Sequence, residues 1–153
     1  MVPMIYDRTQ SDVQNAIKIR LEKVQNFIEL NDEEIAILEK GLITINTINR
    51  IENKQSELKT LLNNIGYYNI DIYNKTWDEL DIFTENDLIR MVNNTISLRK
   101  AFFVYFNSPK NPIAKYYYTE INSIEKILYD LETMEQYVQE NFKECNTFYC
   151  GES

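Results

Sequence analysis

The stretch Thr119-Glu120-Ile121-Asn122-Ser123-Ile124-Glu125-Lys126-Ile127-Leu128-Tyr129-Asp130-Leu131 decides the fold class. Its apolar positions Ile121, Ile124, Leu128 and Leu131 return at intervals of three and four and continue through Met134 or Tyr137 and Val138, the stripe of a helix and not the alternation of a strand. Thr119 stands where an N-cap belongs, and acids crowd the segment. Upstream, Pro109 and Pro112 bound a connector. Before it, Thr84 with Asp87 forms a capping box, with Asp in place of the usual Glu, opening a helix through Leu88, Val92, Ile96, Phe103 and Phe106. Asn46 caps a helix carrying Ile48, Ile51, Leu58, Leu61, Leu62 and Ile65, ended by Gly66, and residues 42–45 ahead of it read as a short extended piece. Asn31 or Asp32 starts a short helix through Ile35 and Leu38, closed by Lys40 and Gly41. Asp7 or Thr9 caps the first helix, whose apolar residues Val13, Ile17, Leu21, Val24 and Ile28 form one stripe.

Composition agrees. Gly and Pro number only 3 each in 153 residues, too few for the turns of a sandwich or barrel. The expected fold is all-α, a small bundle of four to five helices with one ordered aromatic loop over residues 67–83, which holds the only tryptophan, Trp77. A chain of this length forms one domain over 1–153 and buries about 70% of its unfolded surface. Residues 1–8 read as an extended arm and 145–153 as a C-terminal tail. The net charge of −8 disfavours nucleic acid as a partner. Residues 88–118 contain Arg90, Arg99, Lys100, Lys110 and Lys115 and no acid, so this stretch is expected to lie beside the acidic last helix. No apolar run has the length of a membrane span and no basic-then-apolar leader opens the sequence, so a soluble, cytoplasmically made protein without membrane insertion is expected.

The chemistry is sparse. Without histidine there is no imidazole base and the commonest metal ligand is missing. Glycines at 41, 66 and 151 make no phosphate-cradling loop, so no cofactor is expected. A glycosidase would need two carboxylates with separated pKa values, and Asp78, Glu79, Asp81, Glu85 and Asp87 are the cluster to test. Acids at a polar loop and a helix start serve capping and the dipole equally well, so no catalytic residue and no metal site is assigned. Cys145 and Cys150 would stand about 7.5 Å apart on a continuous helix, too far to bridge, so a disulfide requires the helix to end near Cys145. Three states stay open for the pair, in this order: reduced, joined in a tail disulfide, or sharing a metal between subunits. Tyr67, Tyr68, Tyr116, Tyr117 and Tyr118 sit at loop-to-helix junctions, where a ring adds contact area and keeps its hydroxyl wet.

A resemblance adds to this. Ile5-Tyr6-Asp7-Arg8-Thr9-Gln10-Ser11-Asp12-Val13, Glu33-Glu34-Ile35, Lys40-Gly41 and Ile45-Asn46-Thr47-Ile48-Asn49-Arg50-Ile51-Glu52 are similar to a module of small structural and tail-associated proteins in phages and prophages of Firmicutes. Ile65-Gly66-Tyr67-Tyr68, Asn74-Lys75-Thr76-Trp77, Ala101-Phe102-Phe103-Val104-Tyr105, Ile121 to Glu132 and the cysteine tail resemble its short full-length members. The resemblance implies a non-enzymatic component of tail, baseplate or fibre, assembled in the bacterial cytoplasm, localised in the virion, partnered by other tail proteins and forming a homo-oligomer. It carries no catalytic motif. Interface candidates are Tyr6, Asp7, Arg8, Tyr67, Tyr68, Trp77, Tyr116, Tyr117 and Tyr118, and Asp7-Arg8-Thr9 reads as a cap beside an arginine able to fork onto a carboxylate. The competing readings are a tail module binding cell-wall glycan through Trp77 and its loop, and a cell-wall glycosidase using paired carboxylates.

Overall fold

The computed structural model of the chain describes residues 3–102 and 107–149, with side chains as far as residue 141; among the described residues it contains five α-helices and no strand. These are α1 (Gln10–Glu22), α2 (Asp32–Gly41), α3 (Ile45–Asn64), α4 (Glu85–Ala101) and α5 (Tyr118–Tyr149). The expected all-α architecture is the one that forms.

Four of the helices begin on a reciprocal capping box: Thr9 with Asp12, Asn31 with Glu34, Thr44 with Thr47, and Thr84 with Asp87. Each box satisfies two N–H groups that the first turn would leave orphaned. Thr44 is therefore the cap of α3, so Ile45 belongs to the helix and Asn46 lies inside it. Thr119 likewise lies within α5, which starts a residue earlier. The expected end of that helix near Cys145 does not occur. Its backbone remains helical to Tyr149, so the reversal that a Cys145 to Cys150 bridge needs is absent up to that residue; the Cys145 side chain and all of Cys150 lie outside the described part. Residues 103–106 lie outside it as well, and with them Phe103 and Phe106; α4 ends at Ala101.

Helices α3, α4 and α5 build the hydrophobic core around Ile51, Leu58, Leu62, Leu88, Met91, Leu98, Ile121, Ile124, Leu128 and Leu131. Each such side chain stabilises the fold by about 1.5–3 kcal/mol when fully buried. The connection between α3 and α4 adds Ile70 and Ile72 from the irregular aromatic segment. Helices α1 and α2 stand outside this core, and no residue from 9 to 42 belongs to it. They pair with each other as an antiparallel hairpin: the end of α2 touches the start of α1 through Gly41, and Lys23 meets Glu34 at 2.5 Å at the other end. Gly41 is there for close approach and not for a left-handed cap, because a Cβ would fall 2.3 Å from the Asp12 carbonyl and 2.4 Å from the Ala16 Cβ.

The expected helix through Ile28 stops at Glu22, followed by a single 3₁₀ turn over Val24–Asn26. Phe27 closes it with φ 55°, and its N–H and that of Ile28 return to the carbonyls of Val24 and Lys23. This is the Schellman pattern with phenylalanine in glycine's place.

Candidate functional site

The N-terminal arm is held by a buried charge cluster. Glu125, in the middle of α5, is fully buried and takes Arg8 at 2.8 Å and Arg50 of α3 at 2.8 Å, together with the backbone N–H of Ile5. Asn122 receives the Arg8 N–H at 3.3 Å and donates to the Arg8 carbonyl at 2.9 Å. Arg8 reaches a carboxylate of its own chain through one nitrogen, at mid-helix and not at a helix start, its other terminal nitrogen going to the Ile5 carbonyl and Asn122; it is Arg50 that forks onto both carboxylate oxygens. Tyr6 packs on Tyr129 with ring centroids 5.1 Å apart, and the Lys126 ammonium sits over both rings at 5.1 and 5.0 Å. Of the three arm candidates only Asp7 is exposed, and it pairs with Lys40 at 3.4 Å. The structure therefore places Tyr6 and Arg8 in the internal anchoring of the arm.

A second cluster ties the aromatic loop to α3. Glu52 is fully buried and accepts from the Trp77 indole N–H at 3.2 Å and from both terminal nitrogens of Arg90, at 3.0 and 2.5 Å. The Lys75 backbone N–H also donates to it. Asn49 bonds both the N–H and the carbonyl of Trp77, and Gln55 accepts from Asn74 at 2.8 Å. Asn94 of α4 donates to the Tyr73 carbonyl at 2.7 Å. An irregular segment has no ladder of its own, so buried side chains supply its backbone partners. Trp77 is 6% exposed and its edge meets Phe83, which in turn meets Tyr116. The ring offers no open platform to a sugar.

The acidic cluster resolves into turn and cap. Asp81 accepts from the Asp78 N–H at 2.7 Å, and Asp87 accepts from the Thr84 hydroxyl at 2.6 Å and pairs with Lys75 at 3.0 Å. Its Thr84 hydrogen bonds, with Lys75 behind them, hold the Asp87 carboxyl well below the usual carboxylate range, the opposite of what a general acid needs. Glu79 and Asp81 line a hollow of about 290 Å³ with Ile45, Ile48, Trp77 and Phe83. Among the described residues the carboxyl driven upward is Glu135, raised by burial and by nearby Glu132 against a hydrogen bond from Gln139. It is 2% exposed and closed to a substrate. The 88–118 stretch does lie beside α5, sharing its core, but among the described residues its bases do not pair with the α5 acids: Arg90 turns to Glu52 and Asp87, Arg99 donates to the Pro109 carbonyl, and the α5 acids Glu125 and Glu132 take Arg8, Arg50 and Lys54.

Three of the tyrosine candidates do come together. Tyr116, Tyr117 and Tyr118 form one wall of an open groove of about 740 Å³, whose other lining includes Gln10, Val13 and Arg20 of α1 and residues 41–44. Tyr116 and Tyr117 are more than half exposed. Tyr67, by contrast, packs edge-on to Phe102 against the core, and Tyr68 is 70% exposed beside a separate hollow near Gly66 and Val138.

What residue reasoning missed is how much of the hairpin's apolar content lies in water. Seven large apolar residues are exposed between 17 and 37: Ile17, Leu21, Val24, Phe27, Ile28, Ile35 and Ile37. Within residues 9–42 only Ala16 and Gly41 are buried, so this amphipathic pattern reports a surface and not a core. The sequence carries no signal for it, because the apolar spacing runs on at helical intervals from Val13 to Ile28 although Phe27 lies in a left-handed turn. Among the described residues no helix is long and apolar enough to cross a membrane, and no three His, Cys, Asp or Glu side chains converge on a metal-sized site. No protein-family profile, no curated protein and no solved structure matches the chain.

Proposed function

We propose that this chain is a non-enzymatic structural subunit of a phage or prophage tail particle, at the tail tip, baseplate or fibre attachment, working through protein interfaces. The observation that carries an interface role is the α1–α2 hairpin: it contributes nothing to the core and leaves seven large apolar side chains in water. Single exposed hydrophobic residues are ordinary on a monomer; seven of them within residues 17–37, with Phe27 98% exposed, are the density that an interface uses. The sequence resemblance supplies the particle. The glycan-binding alternative draws no support from Trp77, whose indole N–H is engaged by Glu52 and whose ring is covered.

The test is composition of the particle. Particles banded from an induced lysate of the strain that encodes the chain are expected to contain it at a fixed ratio to the tail proteins, by quantitative mass spectrometry. Its absence from such particles, or release of reducing sugar from purified cell walls by the isolated protein, would overturn the proposal.

A further inference from the structure

We infer that the tyrosine-walled groove between α1 and the start of α5 receives an extended, acidic segment of another protein, which pairs with the backbone of Ile43 and sets a carboxylate on Arg20. This occupant is read from residues other than the seven exposed apolar side chains of the hairpin, and its binding does not depend on the particle role.

Charge selects the sign of the ligand. On a molecule of net charge −8, none of the residues lining this groove is acidic. The two acids that adjoin lining residues in sequence are turned to partners of their own, Asp12 to Thr9 and Lys40, and Glu120 to the Ile113 N–H. Arg20 lines the groove, is exposed and pairs with no acid among the described residues. A cation in the last turn of α1 suits the helix dipole, yet that leaves its fork of N–H donors unused. Lys115 stands beside the tyrosine wall, 5.7 Å from the Tyr117 ring centroid. Tyr116 is a donor as well, because burial, with Glu85 and Asp87 of α4 adding to it, raises its pKa and keeps the hydroxyl protonated. A groove rich in donors, with a cation and no carboxylate, favours an anionic acceptor over a cationic or neutral chain.

Length and backbone select its kind. The groove of about 740 Å³ runs along α1 from Gln10 to Arg20, about 15 Å at helical rise, which about four or five extended residues span at about 3.3 Å each. A small anion would occupy one end of it. Residues 42–44 join α2 to α3 and line the same groove, with extended backbone at Leu42 and Thr44 (ψ 154° and 170°). The Leu42 N–H donates to the Leu38 carbonyl and the Thr44 N–H to the Thr47 hydroxyl, while the Thr44 carbonyl accepts from the Ile48 N–H. Between them, the N–H and carbonyl of Ile43 have no partner among the described residues, and its side chain packs against the core. Such free backbone groups beside a groove are what strand addition uses: a strand laid along Ile43 closes the two-bond ring of an antiparallel pair. A phosphate or a simple sugar ring carries no paired amide and carbonyl at peptide spacing. Alternate side chains of the strand share one face, so an acid reaching Arg20 and an apolar residue reaching Val13 or the tyrosine wall stand at even spacing.

The test is selection of a random octapeptide library, acetylated and amidated so that no terminal charge contributes, on the immobilised full chain. The enriched sequences are expected to carry Asp or Glu with an apolar or aromatic residue at even spacing. With the best binder resynthesised, Arg20→Glu should weaken its affinity at least about tenfold, and Arg20→Lys, which keeps the charge, should retain most of it. Both variants should keep the helical spectrum, because Arg20 is exposed and unpaired. The Ile43 amide, followed by nuclear magnetic resonance, should exchange freely in the isolated protein and become protected with the peptide bound. No enriched peptide, enrichment without an acid, equal affinity in Arg20→Glu, or an Ile43 amide as open with the peptide as without it would overturn the inference. So would soluble cell-wall polysaccharide that binds in an Arg20-dependent way where no peptide does, which would assign the groove to a glycan. Particle composition is a separate readout: a chain that binds the peptide but is missing from particles loses the particle role alone, whereas a chain present in particles that binds no peptide loses this occupant alone.

Discussion

Glu52 and Glu125 are each fully buried and each holds one irregular segment in place through cations and backbone N–H groups. Removing the carboxylate leaves those groups desolvated and unpaired, which costs about 3 kcal/mol or more. Glu52→Ala is therefore expected to lower stability by that order and to release the loop. Trp77 is the only tryptophan and donates to Glu52, so its emission should shift to the red while the helical spectrum persists. Unchanged emission would mean that Asn49 alone positions the ring. Glu135 predicts the opposite sign. Burial raises its folded pKa above that of the unfolded chain, so its ionised form weakens folding at neutral pH, and the penalty fades as pH falls through the raised value into the ordinary glutamate range. Glu135→Gln should melt higher than wild type at pH 7 and at the same temperature near pH 3. Equal melting at both would show that water reaches the carboxylate. None of these three glutamates was legible as a chain of letters. Burial depends on which face of α3 or α5 a neighbour covers, and Glu52 and Glu125 sit among apolar residues just as a surface acid does.

At the scale of elements, what could be read was local. Period and caps located α2, α4 and the end of α3, because these depend on side chains three or four residues apart. What could not be read was the partner of each face. The stripe of α1 has the pattern of a core helix, yet only Ala16 is buried, because α2 covers a neighbouring face. The first break, between Glu22 and Phe27, was hidden by the unbroken apolar spacing. Two substitutions test the element contacts. Gly41→Ala gains about 1 kcal/mol of helix propensity, but its Cβ meets a backbone carbonyl at 2.3 Å, which cannot yield as a side-chain tip would. The clash should win, with a net loss of about 1–2 kcal/mol confined to the hairpin. A more stable protein would show that the crossing has room to open. Asp87→Asn keeps one carbonyl acceptor at the start of α4 but removes the charge and the second oxygen, which between them serve Thr84 and Lys75. Because its folded pKa is depressed, the carboxylate's contribution is complete above the ordinary aspartate range and disappears as pH falls below it. The variant should lose about 1 kcal/mol at pH 7 by denaturant titration and the difference should vanish in strong acid. A pH-independent loss would assign the effect to packing instead of charge.

The molecule divides into a three-helix body and an appended hairpin whose stabilities should differ. α3, α4 and α5 share one core, so their amides can exchange only when that core opens. The hairpin is held by the Gly41 crossing, by Lys40 with Asp7 and Asp12, by Lys23 with Glu34 and by Asn46 with Glu39 at 2.7 Å, contacts that are largely exposed. Exposed ion pairs contribute about 0–1 kcal/mol each, far less than the buried aliphatic side chains of the body. Arg8 lies on the body side of this division, since Glu125 fixes it to α5 before the chain enters α1. Hydrogen exchange followed by mass spectrometry at submicromolar protein should therefore show peptides from residues 10–41 exchanging through a local opening, at least about tenfold faster than peptides from the central turns of α3 and α5. Denaturant at low concentration should leave the hairpin rate nearly unchanged and accelerate the body, because only the body's opening exposes much surface. Equal rates and equal denaturant dependence in both parts would mean that the hairpin is a full member of one cooperative unit, stabilised by contacts stronger than its exposed pairs can supply.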